Sequence, residues 1–258
     1  MRLVFAYFLG IVLIFGAWTI VSFSLAQTKG RPILPYPWQA ASAAGENIWT
    51  LLSAFGLSAL RFFLALVVSF LLGLPLGLAA GFEPKLDQFL SPLIYLLYPM
   101  PPVALVLFLY LAFGLGEVVR LVVVVMALFF QVVVAAQGAA KFISPTHIVA
   151  VRSTGASRWQ LYWHVVIPAT LPTVLTAARV SVGLGITMLY IAETKLGTLL
   201  PPSQGLGRFI EYYMFRGDIA LAGVVALALL GLLFYVLLEV LERRLCRWKY
   251  VGVKGAGS

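Results

Sequence analysis

Charge is scarce in this sequence: Asp, Glu, Lys and Arg make up 10% of its 258 residues, hydrophobic residues make up 62%, and the mean hydropathy is +1.02. A chain so poor in charge is not composed like a water-soluble domain and belongs in lipid. Acidic residues are the scarcest charged class, nine against eighteen Lys and Arg, which leaves a formal net charge of +9. Such an excess can mark a nucleic-acid binder, but that function needs a basic face on a soluble fold, whereas these cations sit between and beside apolar runs. Cys246 is the one cysteine, so no intrachain disulfide forms and cysteine usage does not report the compartment. The two histidines, His147 and His164, lack a metal-ligand spacing, and neither a G-x-x-x-x-G-K-[ST] phosphate loop nor a nucleophile–base set is present. These absences weigh against a membrane enzyme. Acids are also too sparse within the apolar runs for a proton relay, and no inverted repeat is visible, which weighs against an ion-gradient-driven transporter or channel.

Long apolar runs are what the sequence has in abundance. A hydrocarbon core of about 30 Å takes roughly 20 residues of helix to cross, and six runs satisfy this. The first, Leu3 to Ala26, ends at Ser24-Leu25-Ala26, which has the small-x-small form of a signal-peptide cleavage site. The run exceeds the roughly 7–15 residues of a signal-peptide core, so a retained first helix over 3–26 is expected. Pro32, Pro35 and Pro37 then exclude regular helix at the start of an external stretch from Lys29 to Gly56, in which a short interfacial helix and the boundary-seeking Trp38 and Trp49 are expected. The second span runs from Leu57 to Gly81, where Gly73, Gly77 and Gly81 share one face and allow close approach of a neighbour. The third, Phe89 to Phe113, is expected to kink at Pro99, Pro101 and Pro102. The fourth is Val118 to Ala140, the fifth Val166 to Ala192 and the sixth Ile219 to Leu241, with a polar loop from Glu193 to Asp218. The fold class is therefore an all-α membrane protein with six transmembrane helices. One permease-like domain over 1–258 is expected, with a core over about 57–241 and a basic tail over 242–258.

Between the fourth and fifth spans, Lys141 to Val165 breaks the apolar pattern with Lys141, His147, Arg152, Arg158 and His164. Ser144-Pro145 has the form of a hydroxyl N-cap followed by proline at the first helical position, Gly155 suits a left-handed C-terminal turn, and Ser157 can cap a second helix from Arg158 to Val165. Ile148 and Val151 form an apolar ridge on the first helix. Such a helix suits either docking into a groove on a partner protein or lying on the bilayer surface, and the residues alone do not decide between them.

The stretch HIVAVRSTGASRWQLYWHVVIPATLP resembles the cytoplasmic-loop motif of binding-protein-dependent ABC importer permeases, through Ala150, Arg152, Gly155, Ala156, Ser157, Val165, Pro168 and Pro172. It departs from that motif at Val149, where the family usually has Glu, and at Val151, where Ala is usual. LPYP at 34–37, Ser58 to Arg61, YPMPPVAL at 98–105, FGLGE at 113–117, Ala192-Glu193 and GLG at 205–207 look like the nitrate/sulfonate/taurine-type branch.

The resemblance implies a type I ABC importer permease of a bacterial or archaeal inner membrane, with Val149, Ala150, Val151, Arg152, Gly155, Ala156, Ser157 and Pro168 coupling it to its ATPase. Its implied partners are two cytoplasmic ATP-binding subunits that carry ATP and Mg, a second permease copy or paralogue, and an extracytoplasmic solute-binding protein. No cofactor is expected on this chain. The implied cargo is a small sulfonate, a nitrate-like anion or a vitamin precursor. The polar and aromatic candidates for the path are Gln131, Arg179, Thr187, Met188, Tyr190 and Glu193. For Arg179 the readings are an anion contact, an ion pair within the bundle, or placement at a helix end. Glu193 reads as a structural hydrogen-bonding group at the external end of its span more readily than as a substrate contact.

Six crossings from an internal N-terminus place Arg2, Lys85, Lys141, Arg152, Arg158 and the tail cations on the cytoplasmic side, and leave Lys29, Arg31, Lys195, Arg208 and Arg216 outside. The tail can also touch anionic headgroups. Both termini and Lys141 to Val165 are thus expected to be cytoplasmic. In a Cys246→Ser background, Ser157→Cys should react with an impermeant thiol reagent only after permeabilisation; labelling in intact cells would reverse the topology.

Overall fold

The computed structural model of the protein describes residues 2–29, 34–114, 116–195 and 201–251. Arg31, at the start of the expected external stretch, and Lys254, in the basic tail, lie outside the described residues. Within them all regular structure is helical. The elements in chain order are α1 (Arg2–Lys29), α2 (Pro37–Glu46), α3 (Ile48–Phe82), α4 (Pro84–Leu97), α5 (Pro102–Phe113), α6 (Glu117–Lys141), α7 (Pro145–Arg152), α8 (Arg158–Leu161), a π turn (Tyr162–Val166), α9 (Ile167–Val180), α10 (Val182–Lys195), a 3₁₀ turn (Pro202–Gln204), α11 (Leu206–Tyr212), α12 (Gly217–Leu245) and α13 (Arg247–Val251).

Four helical runs among the described residues are long and apolar enough to cross a membrane: α3, α6, the run Arg158–Val180, and α12. The pair α4 and α5 makes a fifth when taken as one span, and Val12–Thr28 of α1 is a shorter apolar stretch at the place expected for the first crossing. Three expectations change in detail. The third span is no kinked helix: α4 and α5 meet at 95° across the proline-rich break. Pro101 and Pro102 lack the N–H groups that would continue the ladder, and Pro101 takes the extended conformation from which α5 starts afresh. The fifth helical run begins earlier than Val166, at Arg158, and extends through a one-residue break at Ser181 to Lys195. The second span starts at Ile48, so the exposed Trp49 lies on α3.

The chain divides into two compact units, Met1–Ser58 with Gly197–Leu229, and Ala59–Leu196 with Leu230–Ser258. In the first, Trp18 Nε1 and Ser22 Oγ of α1 both donate to the Pro35 carbonyl, at 2.9 and 3.3 Å. Leu206 N, at the start of α11, donates to Ser58 Oγ at 2.8 Å.

The second unit is built on the contact between α3 and α6. A Cβ at Gly77 would lie 2.5 Å from the Val133 carbonyl oxygen and 2.7 Å from Ala136 Cβ, and one at Gly81 would collide with the Gln137 carbonyl. The glycine face foreseen in the sequence therefore meets the small-residue face of α6 backbone to backbone. In lipid this is how helices adhere, because burial from water no longer drives them together. Around the contact Leu78, Val132, Ala136, Ala140, Val166 and Val174 form a buried cluster that brings in α9. Gly77→Leu should cost about 1–3 kcal/mol or more of packing; a lowered melting temperature and reduced yield of monodisperse protein would show it, and unchanged values would contradict the close approach.

Candidate functional site

The segment singled out in the sequence folds as expected in outline. Pro145 opens the eight-residue α7, although the Ser144 hydroxyl makes no capping bond and only its carbonyl accepts, from His147 N at 3.1 Å. Gly155 ends the turn after α7 with φ +80°, the left-handed conformation that glycine alone adopts freely. Ser157 then caps α8 reciprocally: its Oγ accepts from Gln160 N at 3.3 Å, and Gln160 Oε1 accepts from Ser157 N at 2.8 Å. Pro168 has no N–H for the His164 carbonyl. The π turn just before it, in which Ile167 N reaches Tyr162 O, carries the helix from Arg158 into α9 without a stop.

Ile148 and Val151 are half-buried within the chain, on a helix that packs against α8 and the π turn. The free face carries Val149, 64% exposed, with Ala150, Arg152 and Ser153. Ala156 is half-buried, Gly155 and Ser157 are exposed, and Pro168 is half-buried on α9.

Both ends of this loop are tied to one short acidic segment. Lys141 Nζ, at the end of α6, lies 2.6 Å from Asp87 Oδ1, and Gln137 Nε2 donates to the same oxygen at 3.3 Å. At the other end Arg158 pairs with Glu83, which also accepts from the Tyr162 hydroxyl at 3.2 Å. Glu83 and Asp87 thus hold the two ends of the α7 loop on the junction of α3 and α4.

A second cluster escaped the sequence reading. Arg61 of α3 forms a two-pronged ion pair with Glu117 of α6, Nε to Oε2 at 2.7 Å and NH2 to Oε1 at 2.8 Å, and its NH1 lies 2.7 Å from Glu193 Oε1 of α10. Arg120 also pairs with Glu117. The side chains of Arg61 and Arg120 are 6% and 5% exposed and that of Glu193 1%, whereas Glu117 is 60% exposed. Two cations and two anions leave the cluster neutral, as burial of charge in a membrane protein requires. One signal was readable: Arg61 and Glu193 are charges inside or bordering apolar runs, where an isolated charge is costly. Which charges meet depends on three helices lying side by side.

Glu193 therefore serves in an ion pair within the chain. Arg179 does too, lying 3.9 Å from Glu239 and 3.7 Å from Glu242 of α12, with its guanidinium 5.3 Å above the Tyr235 ring. Those two carboxylates are also held at 2.6 Å by Arg243 and Lys249 respectively. Met188 is buried among Val119, Val123, Ala127 and Ala192, Thr187 is exposed and donates to the Gly183 carbonyl at 2.9 Å, and Gln131 and Tyr190 are half-buried. Fourteen residues of helical run separate Arg179 from Glu193, roughly 20 Å at 1.5 Å per residue, so these two do not hold one small solute together. Cys246 is buried, and burial followed by the nearby Glu242 pushes its thiol above the ordinary value, so the residue is chemically quiet.

Removing one member of a buried ion pair strands its partner, at a cost of about 3–5 kcal/mol. Arg61→Ala should therefore lower the melting temperature of the purified protein far more than Arg216→Ala, which removes an exposed pair with Asp218. Equal effects would mean that the Arg61 cluster is not structural.

Residues 73–247 match the family described as binding-protein-dependent transport system inner membrane component. The taurine transport system permease protein TauC of Escherichia coli is 32% identical over 240 residues, covering 90% of this chain and 84% of that one. Among solved structures, an inward-facing MetNI methionine ABC transporter aligns with a TM-score of 0.60 at 22% identity, over 78% of this chain and 97% of that one. A bacterial ABC transporter that imports the acidic polysaccharide alginate aligns with a TM-score of 0.59 at 14% identity, over 94% and 96%. These two likenesses concern the fold. The family match covers the glycine face, α7, the capped turn and most of the charged ties described above, and the chain belongs to the binding-protein-dependent transport system inner-membrane components as the permease subunit of an ABC importer.

Proposed function

We propose that this permease forms its path with a second copy or a close relative, and that its α7 docks on a cytoplasmic ATP-hydrolysing subunit that carries ATP and Mg. A solute-binding protein on the opposite side delivers the cargo, and the helices reorient by alternating access as the ATPases close and open. Both termini and the α7 loop face the cytoplasm, and the chain works as one permease domain whose basic tail follows α12. The cargo we infer is a small sulfonate of the taurine class, by likeness to a taurine permease over most of both chains.

The observation that carries this reading is the construction of α7: a short helix whose apolar ridge is half-buried within the chain, whose opposite face offers Val149, Ala150 and Arg152, and whose exit is a left-handed glycine. The helix needs a partner with an apolar groove for the exposed Val149. Its ties through Asp87–Lys141 and Glu83–Arg158 would pass a displacement of α7 to α3, α4, α6 and α9. Val149, Ala150, Arg152 and Ser157 are the proposed contacts, Gly155 and Ala156 shape the turn, and Val151 and Pro168 support it from within.

A β-branched residue at Gly155 should cost about 1–2 kcal/mol in the left-handed conformation. Gly155→Val should leave the protein inserted but weaken copurification of the ATPase or uncouple hydrolysis from uptake in vesicles, and Arg152→Glu should do so without disturbing the turn. Normal ATPase association and normal ATP-dependent taurine uptake in both variants would remove α7 from the coupling role.

A further inference from the structure

A groove of about 660 Å³ runs along the side of the second unit, lined by Leu74, Pro75, Leu78 and Ala79 of α3 and by Trp159, Tyr162, Trp163 and Ile167 of the run that enters α9. The ion pair Glu83–Arg158 stands at its mouth. From Leu74 to Glu83 is nine residues of helix, roughly 13 Å, close to the ~15 Å half-thickness of a hydrocarbon core. The groove is therefore long enough for the acyl chain of a lipid from one leaflet, with the ion pair standing where the headgroup of that lipid would lie. Trp159 and Trp163 meet edge to face with centroids 5.7 Å apart, and both are exposed, as aromatic side chains are at the membrane–water boundary.

The rim selects among occupants. A second protein helix would need a face of small residues for close approach, and two tryptophans and a tyrosine deny it one. A lipid chain needs only a dry channel of this length. Above that channel the protein presents one carboxylate and one guanidinium, the latter 73% exposed and free to reach a further anion while paired with Glu83. An anionic headgroup would gain from Arg158 and lose to Glu83. A zwitterion carrying a phosphate and a primary ammonium satisfies both: the phosphate accepts from Arg158, and the ammonium donates to the Glu83 carboxylate, which the Tyr162 hydroxyl already orients. We propose that this groove is a binding site for phosphatidylethanolamine, one acyl chain lying against Leu74, Leu78 and Ala79 and the headgroup bridging Arg158 and Glu83. The site stands on the geometry of this groove and does not depend on the identity of the cargo.

The test uses the full-length protein with Trp18, Trp38, Trp49 and Trp248 replaced by Phe, so that Trp159 and Trp163 report alone, in phosphatidylcholine nanodiscs doped with a minor fraction of lipid brominated on its acyl chains. The doped lipid carries an ethanolamine, choline or glycerol headgroup. Ethanolamine lipid should quench about three-fold more effectively than choline lipid at equal fraction, because its ammonium donates N–H to the Glu83 carboxylate whereas the equally charged choline has no N–H to give. Glu83→Gln should bring the two to parity, and Ala79→Phe, which fills the channel and leaves the rim intact, should weaken quenching by all three. Equal quenching by the three headgroups would reduce the site to ordinary contact with surrounding lipid and overturn the proposal. Strongest quenching by the glycerol lipid would overturn it in favour of an anionic-lipid site, and unchanged quenching in Ala79→Phe would place the lipid outside the groove.

Discussion

Helices in lipid gain nothing by hiding apolar surface from one another, since the solvent is as apolar as they are. Adhesion must come from dispersion contacts at short range, and the second unit obtains them where α3 and α6 approach with no side chain between their backbones. Gly73, Gly77 and Gly81 face Val132, Val133, Ala136, Gln137 and Ala140, and the register of that contact fixes much else. It brings Arg61, three turns before Gly73, to Glu117 at the start of α6. It brings the α3–α4 junction to Lys141 at the end of α6. The ion pairs at the two ends are consequences of a close contact in the middle.

The charges that remain obey one economy. Arg61 and Arg120 are matched by Glu117 and Glu193, Lys141 by Asp87, Arg158 by Glu83, and Arg179 by Glu239 and Glu242. Each set joins different helices or secures a loop to one, because a charge in this environment is tolerable only beside its opposite. Arg152 and His147 on α7 are exposed. A short helix with its apolar side half-buried and its polar side open can be moved by a partner without being unfolded, and its two ties run to helices that cross the membrane. The structural basis proposed for coupling is this combination of a stiff element, a glycine turn and paired anchors.

Proline acts differently in three places, and the difference is instructive. At Pro101 and Pro102 the chain turns by 95° and a new helix begins. At Pro168 a π turn reroutes the hydrogen bonds and the helix continues. At Pro75 α3 continues without a break, and the proline lines the groove beside Trp159 and Trp163. Each proline removes one donor, but whether the helix stops depends on what neighbouring backbone and side chains supply instead. That information is not local.

Composition and apolar run length were enough, from the sequence alone, to establish a helical membrane protein, to locate the apolar segments to within about a turn at most ends, and to mark Gly77 and Gly81 as a contact face. Cap chemistry marked Pro145, Gly155 and Ser157 as the bounds of two short helices. These features were legible because each is set by neighbours along the chain or by the bilayer thickness. Tertiary structure alone decided that Ile148 and Val151 are half-buried and Val149 exposed, that Arg61 meets both Glu117 and Glu193, that Arg179 lies beside two carboxylates of α12, and that Glu83 and Asp87 hold the loop. Hydrophobic period cannot tell a face that packs on its own chain from one offered to a partner, and a scarce charge in an apolar run announces only that it needs a counter-charge. Which helix supplies that counter-charge is settled by the side-by-side packing of helices far apart in sequence, through contacts that short-range dispersion permits only where the residues are small.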